Sequence, residues 1–187
     1  MRNVAPALLA ALALAACAAR PLPLSASLPP GFVEGGTDPL RAAVLGSAFA
    51  FNSGGTATPS GTARAAALVE YMATDSKWGG RWADFSPVTL LRLEEARSEL
   101  REALAIPADA PPQEVVMQLS ALANSLDANV PVAPTPQAQA TVARLAALPG
   151  LPRTREATAL AERDLLRIDQ ERLFQGGPGG GGGASRS

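Results

Sequence analysis

Apolar residues recur every three or four positions through most of the chain between residues 37 and 175. This spacing places apolar side chains along one face of an α-helix. Short stretches rich in proline and glycine separate the periodic segments, and several segments open with Asp-Pro, Thr-Pro or Ser-Pro, which is typical of helix starts. No run of β-branched residues alternates with polar ones. The pattern therefore predicts an all-α domain, a bundle of five or six helices.

Six segments carry the helical pattern, and each has a predicted range. The ranges are Thr37 or Asp38 to Phe51, Pro59 or Thr62 to Thr74, Val88 to Ile106, about 15 residues restarted by Asp109-Ala110-Pro111-Pro112, Pro136 to Leu148, and Thr154 to Phe174. Their predicted inward faces comprise, in chain order, Leu40, Val44, Leu45, Ala48, Phe49 and Phe51; Ala66, Ala67, Val69, Tyr71 and Met72; Leu90, Leu91, Leu93, Ala96, Leu100, Ala103 and Leu104; Val115, Val116, Leu119, Leu122, Ala123 and Leu126; Val142, Leu145 and Leu148; and Ala157, Ala161, Leu165 and Ile168.

The order of these segments also suggests how they pack. A short proline turn joins the third and fourth predicted helices, which favours an antiparallel hairpin. The last helix has a narrow apolar seam, so we predict that it lies over the bundle or pairs with a partner chain. The third helix carries a run of glutamates interleaved with arginines, which predicts a solvated face with the ion pairs Glu94–Arg97 and Arg92–Glu95.

The glycine-containing stretch from Asn52 to Gly61 invites comparison with a phosphate-binding loop. The comparison fails because no lysine precedes Thr62, the glycine spacing differs, and a helix rather than a strand comes before it. We interpret this stretch as a turn.

An uncharged apolar run extends from Val4 to Ala16 and ends in Leu14-Ala15-Ala16-Cys17. At roughly 13 residues the run suits a signal peptide, whereas a membrane-spanning helix needs about 20. The last four residues resemble the lipobox of bacterial lipoproteins, and the resemblance covers this segment alone. It implies cleavage before Cys17, a diacylglyceryl group on the cysteine sulfur and a further acyl chain such as palmitate on the new amine. In a Gram-negative source, Ala18 in place of an aspartate implies the outer membrane, facing the periplasm.

These features predict four parts of the chain: a cleaved signal peptide at 1–16, a lipidated and flexible tether at 17–36, a helical domain at 37–175, and a disordered glycine-rich tail at 176–187. The tether contains four prolines and would reach up to about 60 Å at ~3.1 to 3.3 Å per residue. Phe32 and Val33 are its bulky apolar residues near the domain, and they either stay in the tether or dock onto the helices.

The amino-acid composition excludes several classes of function. The chain has 16 basic and 17 acidic residues, a near balance that gives no electrostatic footprint for nucleic acid. It has no histidine, which excludes Ser-His-Asp catalysis and histidine metal ligation. Cys17 is the one cysteine, so no internal disulfide can form. We expect no cofactor and no metal, and membrane attachment through the lipid on Cys17.

The best candidate for ligand binding is an aromatic cluster. Tyr71, Trp78, Trp82 and Phe85 are half of the eight aromatic residues, and Gly79-Gly80 lie between the tryptophans. With Arg81, this loop could present rings for stacking against a sugar or a peptide. The alternative is that the tryptophans close one end of the bundle. Glu70 is the one acid we would test for catalysis, although an exposed helix carboxylate is the simpler interpretation.

Two classes of function remain open. The first is a membrane-anchored envelope lipoprotein that acts as a non-enzymatic accessory or scaffold and presents a helical surface to an envelope protein. The second is a module that binds, or less plausibly cleaves, cell-wall glycan or another small ligand through Tyr71, Trp78, Arg81 and Trp82. The oligomeric state does not follow from the sequence.

Overall fold

The computed structural model describes residues 24–33, 36–53, 58–132 and 135–175. The predictions for the signal peptide, for Cys17 and for the tail at 176–187 fall outside these residues. The described chain forms six helices: α1 (Pro39–Asn52), α2 (Pro59–Asp75), α3 (Pro87–Ala103), α4 (Pro112–Asp127), α5 (Pro136–Ala146) and α6 (Pro152–Gln175). Two 3-10 turns, Ser76–Trp78 and Gly80–Trp82, join α2 to α3. The described ranges contain no strand, which confirms the predicted all-α fold. No helix within them is long and apolar enough to cross a membrane.

Proline opens each of the six helices, at the position where the missing N–H has no partner to lose. Four helices are also capped by the residue just before that proline. The side chains of Asp38, Thr58, Ser86 and Thr135 accept hydrogen bonds from backbone N–H groups in the first turns of α1, α2, α3 and α5. These local signals explain why the predicted starts of α1, α3 and α5 agree with the structure to within two residues.

Helix α2 forms the centre of the bundle. Its residues from Thr62 to Thr74 are buried, with the exception of the half-buried Arg64. Alanines at 63, 65, 66 and 67 leave little side-chain bulk, so α1, α3 and α4 can pack closely around it. Helix α6 lies across α1 and α3, with its predicted seam of Ala157, Ala161, Leu165 and Ile168 buried as expected.

The predicted hairpin of α3 and α4 is wrong. Helix α4 packs along α2, and α3 packs against α6 and α2, with no extensive contact between α3 and α4 themselves. The reason is that α2 is apolar around most of its circumference and offers both helices more surface to bury than they offer each other.

Helix α3 is also shorter than predicted, ending at Ala103 rather than Ile106. Ala105 adopts a left-handed backbone conformation (φ 56°), and the Ile106 N–H donates to the carbonyl of Arg101 at 2.8 Å. This is the hydrogen-bond pattern of a Schellman motif, which usually has glycine at the left-handed position, and an alanine there does not predict it. Two predicted inward residues are instead exposed: Phe49 at 62% and Leu91 at 59%.

The segment predicted as a tether is held to the domain in its described part. The Ala26 N–H donates to Thr74 Oγ1 at 3.2 Å, and Ala26 is buried. The Ser27 N–H donates to Gln113 Oε1 at 2.8 Å. Phe32 packs against the core, with the Arg64 guanidinium 5.4 Å from its ring centre. Residues 26–32 therefore belong to the folded domain, and the boundary predicted at residue 37 lies too late.

Candidate functional site

The aromatic cluster closes the bundle at the C-terminal end of α2. Trp82 is 2% exposed and its ring lies 4.8 Å from that of Phe85, tilted by 53°. Tyr71 is also buried, whereas Trp78 is 44% exposed. The structure therefore agrees with the alternative in which Trp82 closes one end of the bundle, and not with a Trp82 ring presented at the surface. Trp78 is the one indole of the pair that solvent reaches.

Asp75, which sequence reasoning missed, connects three of the predicted site residues. Its Oδ2 accepts hydrogen bonds from Trp82 Nε1 at 2.9 Å and from Arg81 Nη2 at 3.0 Å. Arg81 Nη2 also donates to the Tyr71 hydroxyl at 3.1 Å. The structure thus brings Tyr71, Arg81 and Trp82 together and directs their polar atoms at one another. Gly79, at φ +132°, allows the sharp change of direction between the two 3-10 turns that this arrangement requires.

Burial raises the pKa of Tyr71 to about 12, and the negative charge of Asp75 acts in the same direction. The phenol therefore remains protonated throughout the neutral range. Lys77, beside Trp78, forms an ion pair with Glu94 at 2.9 Å. What this loop offers to a ligand is the exposed face of Trp78 and the outer side of Arg81.

The interpretation of Glu70 as an exposed helix carboxylate is wrong. Glu70 is 3% exposed and accepts from two arginines of α3: Arg97 Nε at 2.8 Å, and Arg101 through Nη2 at 2.6 Å and Nε at 3.0 Å. Of the two ion pairs predicted on α3, Arg92–Glu95 is present at 2.6 Å. The predicted pair Glu94–Arg97 is replaced by two others, because Arg97 contacts Glu70 and Glu94 contacts Lys77. With both oxygens occupied and no access to solvent, Glu70 cannot reach a substrate.

Arg101 extends this cluster to the loop between α3 and α4. It is 4% exposed and donates to the backbone carbonyls of Pro107 (3.0 Å), Ala108 (2.9 Å) and Ala110 (3.0 Å). One guanidinium thus satisfies a carboxylate and three carbonyls, an arrangement that its planar set of five N–H donors permits. The loop at residues 104–111 is fixed to α2 through this side chain.

That fixed loop forms one wall of a groove of about 520 Å³, which the sequence did not predict. Helix α4 supplies a second wall, and α5 with the residues before it supplies the third. The lining residues are Ile106, Pro107, Ala110, Val115, Gln118, Leu119, Ala121, Leu122, Ser125, Val132, Thr135, Ala138 and Thr141. The signal in the sequence was the amphipathic pattern of α5. Among the side chains of α5 that the structure describes, Thr141 and Leu145 are buried, and the rest of its apolar face is at most partly covered by the bundle.

Metal binding finds no support in the described ranges, where no group of three or more acidic or cysteine side chains converges. The carboxylates of Glu70, Asp75 and Glu94 instead contact arginine, lysine or indole N–H groups.

No protein-family model matches this chain, and neither the curated proteins nor the solved structures include a significant match to it.

Proposed function

We propose that this chain is a lipid-anchored protein of the bacterial envelope whose helical domain serves as a non-enzymatic accessory or scaffold module. The observation that carries the proposal is the sequence Leu14-Ala15-Ala16-Cys17 at the end of an uncharged apolar run. Several acyl chains on Cys17, each contributing ~0.8 kcal/mol per buried methylene, would hold the protein at the membrane permanently.

The contacts of residues 26–32 with the domain limit the distance between the proposed lipid on Cys17 and the helical bundle. Ala26, where the chain is held to Thr74, lies nine positions after Cys17. At ~3.3 Å per residue these positions span at most about 30 Å, half the reach of the predicted tether. The lipid anchor would keep the end of the bundle formed by the C-terminus of α2 and the N-terminus of α4 close to the bilayer.

Exposed apolar side chains support an interaction role. Leu166, Leu173 and Phe174 lie on the C-terminal half of α6, and the last two are 77% and 87% exposed. Clusters of large apolar side chains in contact with water are typical of surfaces that bind another protein. We place the proposed partner surface at this end of α6.

The glycan-binding alternative has one observation in its favour, the exposed ring of Trp78. Stacking on a pair of rings would require Trp82 as well, and that ring is buried. We therefore rank this alternative second. Sedimentation with purified sacculi tests it, and equal retention of the parent protein and the Trp78→Ala variant would remove its basis.

The anchor is tested by replacing Cys17 with serine in the full chain. We expect the parent protein to remain in the membrane fraction after high-salt and alkaline washes, and the Cys17→Ser variant to lose lipid modification, as read by intact mass. Ala19→Ser, which leaves the cysteine and the cleavage position unchanged, is the matched control. Membrane retention of an unmodified parent protein would contradict the proposal.

The partner surface is tested by in-cell photocrosslinking from position 174, with position 102 on the solvent side of α3 as the control. A discrete protein adduct from position 174 but not from position 102, and lost in the Cys17→Ser background, is the expected result. Adducts of equal yield from both positions would show that α6 has no preferred partner.

A further inference from the structure

The groove between α4 and α5 has an unusual lining. Among the residues that the structure describes, thirteen line the groove; none of these is charged or aromatic, and most are aliphatic or alanine. We propose that this groove binds a single acyl chain of an envelope lipid. The proposal goes beyond an accessory role and rests on the proposed envelope location for access to lipid.

The lining chemistry selects the ligand. A sugar needs polar partners and commonly an aromatic ring, and a charged ligand needs a counter-charge that no lining residue supplies. A saturated hydrocarbon chain needs neither, and gains free energy in proportion to the apolar surface that leaves water. The polar side chains in the lining are amides and hydroxyls, and Thr141 is engaged, donating from Oγ1 to the Leu104 carbonyl at 3.3 Å.

The size of the groove agrees with one chain. A volume of about 520 Å³ lies within the ~300 to 1,000 Å³ range of small-molecule sites. A water molecule occupies ~30 Å³ in the liquid, so the volume of the groove corresponds to roughly 17 groups the size of a water molecule. That number is comparable to the number of carbon atoms in one long acyl chain.

The two sides of the groove are held differently. The wall at Ile106, Pro107 and Ala110 is fixed, because Arg101 binds the carbonyls of this loop and is itself paired with the buried Glu70. Helix α5 packs on α2 and is hydrogen-bonded to the C-terminus of α3. There, Thr141 contacts the Leu104 carbonyl, and Arg144 Nη1 donates to the carbonyls of Ala103 at 3.2 Å and Glu102 at 3.5 Å. The groove therefore lies between the loop fixed by Arg101 and the amphipathic helix α5.

The experiment uses cells that produce the full chain and take up a palmitate analogue bearing a photoactivatable diazirine and an alkyne. After irradiation, labelled protein is recovered and digested with trypsin. All thirteen lining residues lie in one tryptic peptide, from Glu102 to Arg144, because no lysine or arginine falls between. Cys17 lies in a different peptide that ends at Arg41, since trypsin cleaves poorly before Pro21. Label on the peptide 102–144 that is not crosslinked to the peptide of Cys17 therefore reports a lipid other than the acyl chains of the protein itself.

We expect the peptide 102–144 to be labelled in the parent protein and its label to fall at least fivefold in Ala138→Trp, whose side chain would fill the groove. Ala143→Trp is the matched control, because Ala143 is exposed on α5 and does not line the groove. Ala121→Trp repeats the test from the exposed side of α4, should Ala138→Trp alter the position of α5. Unchanged circular dichroism melts establish that the variants are folded.

The outcomes separate the two proposals. Label on 102–144 without label or lipid on Cys17 would leave the groove assignment standing and overturn the lipid anchor. Absence of label from 102–144 in the parent protein, or equal label in the groove-filling variants and in Ala143→Trp, would overturn the acyl-chain site, whatever is found at Cys17.

Discussion

Among single residues, Glu70 shows most clearly what a polarity pattern cannot predict. A glutamate within a helix is usually solvated, and its burial becomes plausible only when the whole of α2 is considered. That helix has alanine, valine, leucine or methionine on most of its circumference, so a polar residue placed there needs a partner from another helix. The partner, Arg101, lies 31 residues further along the chain, beyond the reach of any local pattern.

Glu70→Gln should destabilise the protein by about 3 kcal/mol, because it leaves the buried guanidinium of Arg101 without its counter-charge. Urea denaturation measures the free energy of unfolding. Glu102→Gln, one residue beyond Arg101 and exposed, is the control and should change this free energy by less than about 0.5 kcal/mol. Equal unfolding midpoints for the two variants would contradict a structural role for the Glu70–Arg101 pair.

Tyr71 gives a prediction about pH. Its pKa in the folded protein is raised to about 12 by burial first and by Asp75 second, against 10.0 for the free side chain. Since the folded state holds this proton more tightly, the contribution to stability is fully present below pH 10 and is lost as the pH rises towards 12. Over these two pH units the loss is roughly 2 kcal/mol.

The chain has one tyrosine, so absorbance at 295 nm reports on Tyr71 alone. We expect a titration midpoint near pH 12 in the folded protein and near pH 10 in concentrated urea. Asp75→Asn should move the folded midpoint downwards, because it removes the second cause of the shift. A folded midpoint that coincides with the midpoint in urea would show that the phenol is accessible to water.

At the scale of the helices, the sequence predicted what local chemistry determines. Proline at the first position together with Asp38, Ser86 or Thr135 as the cap was enough to locate the starts of α1, α3 and α5. The start of α6 was predicted at Thr154, two residues late, because no side chain just before Pro152 caps it. Its cap comes from α3: Glu99 Oε2 accepts from the Thr154 N–H at 2.7 Å and from Thr154 Oγ1 at 2.8 Å.

A residue of α6 in turn caps the start of α3. Asp164 of α6 accepts from the Ser86 N–H at 2.8 Å and from Thr89 Oγ1 at 2.7 Å, at the start of α3. Each helix thus supplies a carboxylate to the N-terminus of the other, where the helix dipole favours negative charge. This reciprocity fixes α3 and α6 as antiparallel neighbours. It was hidden in the sequence, where Glu99 looked like one more glutamate of a solvated face.

Glu99→Ala and Asp164→Ala should each lower the free energy of unfolding by about 1 to 2 kcal/mol, the usual effect of losing an N-terminal cap. The two sites lie about 15 Å apart along α6, so the double variant should show the sum of the single effects to within ~0.5 kcal/mol. Urea denaturation gives these values, and Glu102→Ala serves as the control. Hydrogen exchange at the Thr154 amide should become faster in Glu99→Ala only; unchanged exchange there would contradict the cap.

On the scale of the whole molecule, the candidate site and the groove illustrate two limits of sequence reasoning. The aromatic cluster was found because aromatic residues are rare in this chain, but the sequence could not say which ring faces water. The groove was missed because it depends on where α5 lies relative to α4, and the loop between Asp127 and Pro136 does not determine that position through its own sequence pattern. Neither local composition nor periodicity carries that relation, since both describe one element at a time.

The docking of the N-terminal segment determines how the whole domain would sit at a membrane. If Phe32 and Ala26 hold this segment to α2, Phe32→Ala should destabilise the domain by about 1 to 2 kcal/mol through lost apolar burial. Leu24→Ala, at a side chain that is 66% exposed, is the matched control and should have little effect. Thermal unfolding of the mature chain separates the two. Equal melting temperatures would mean that residues 24–33 do not contribute to the fold, and the domain would then be free to move the full reach of the predicted tether away from its anchor.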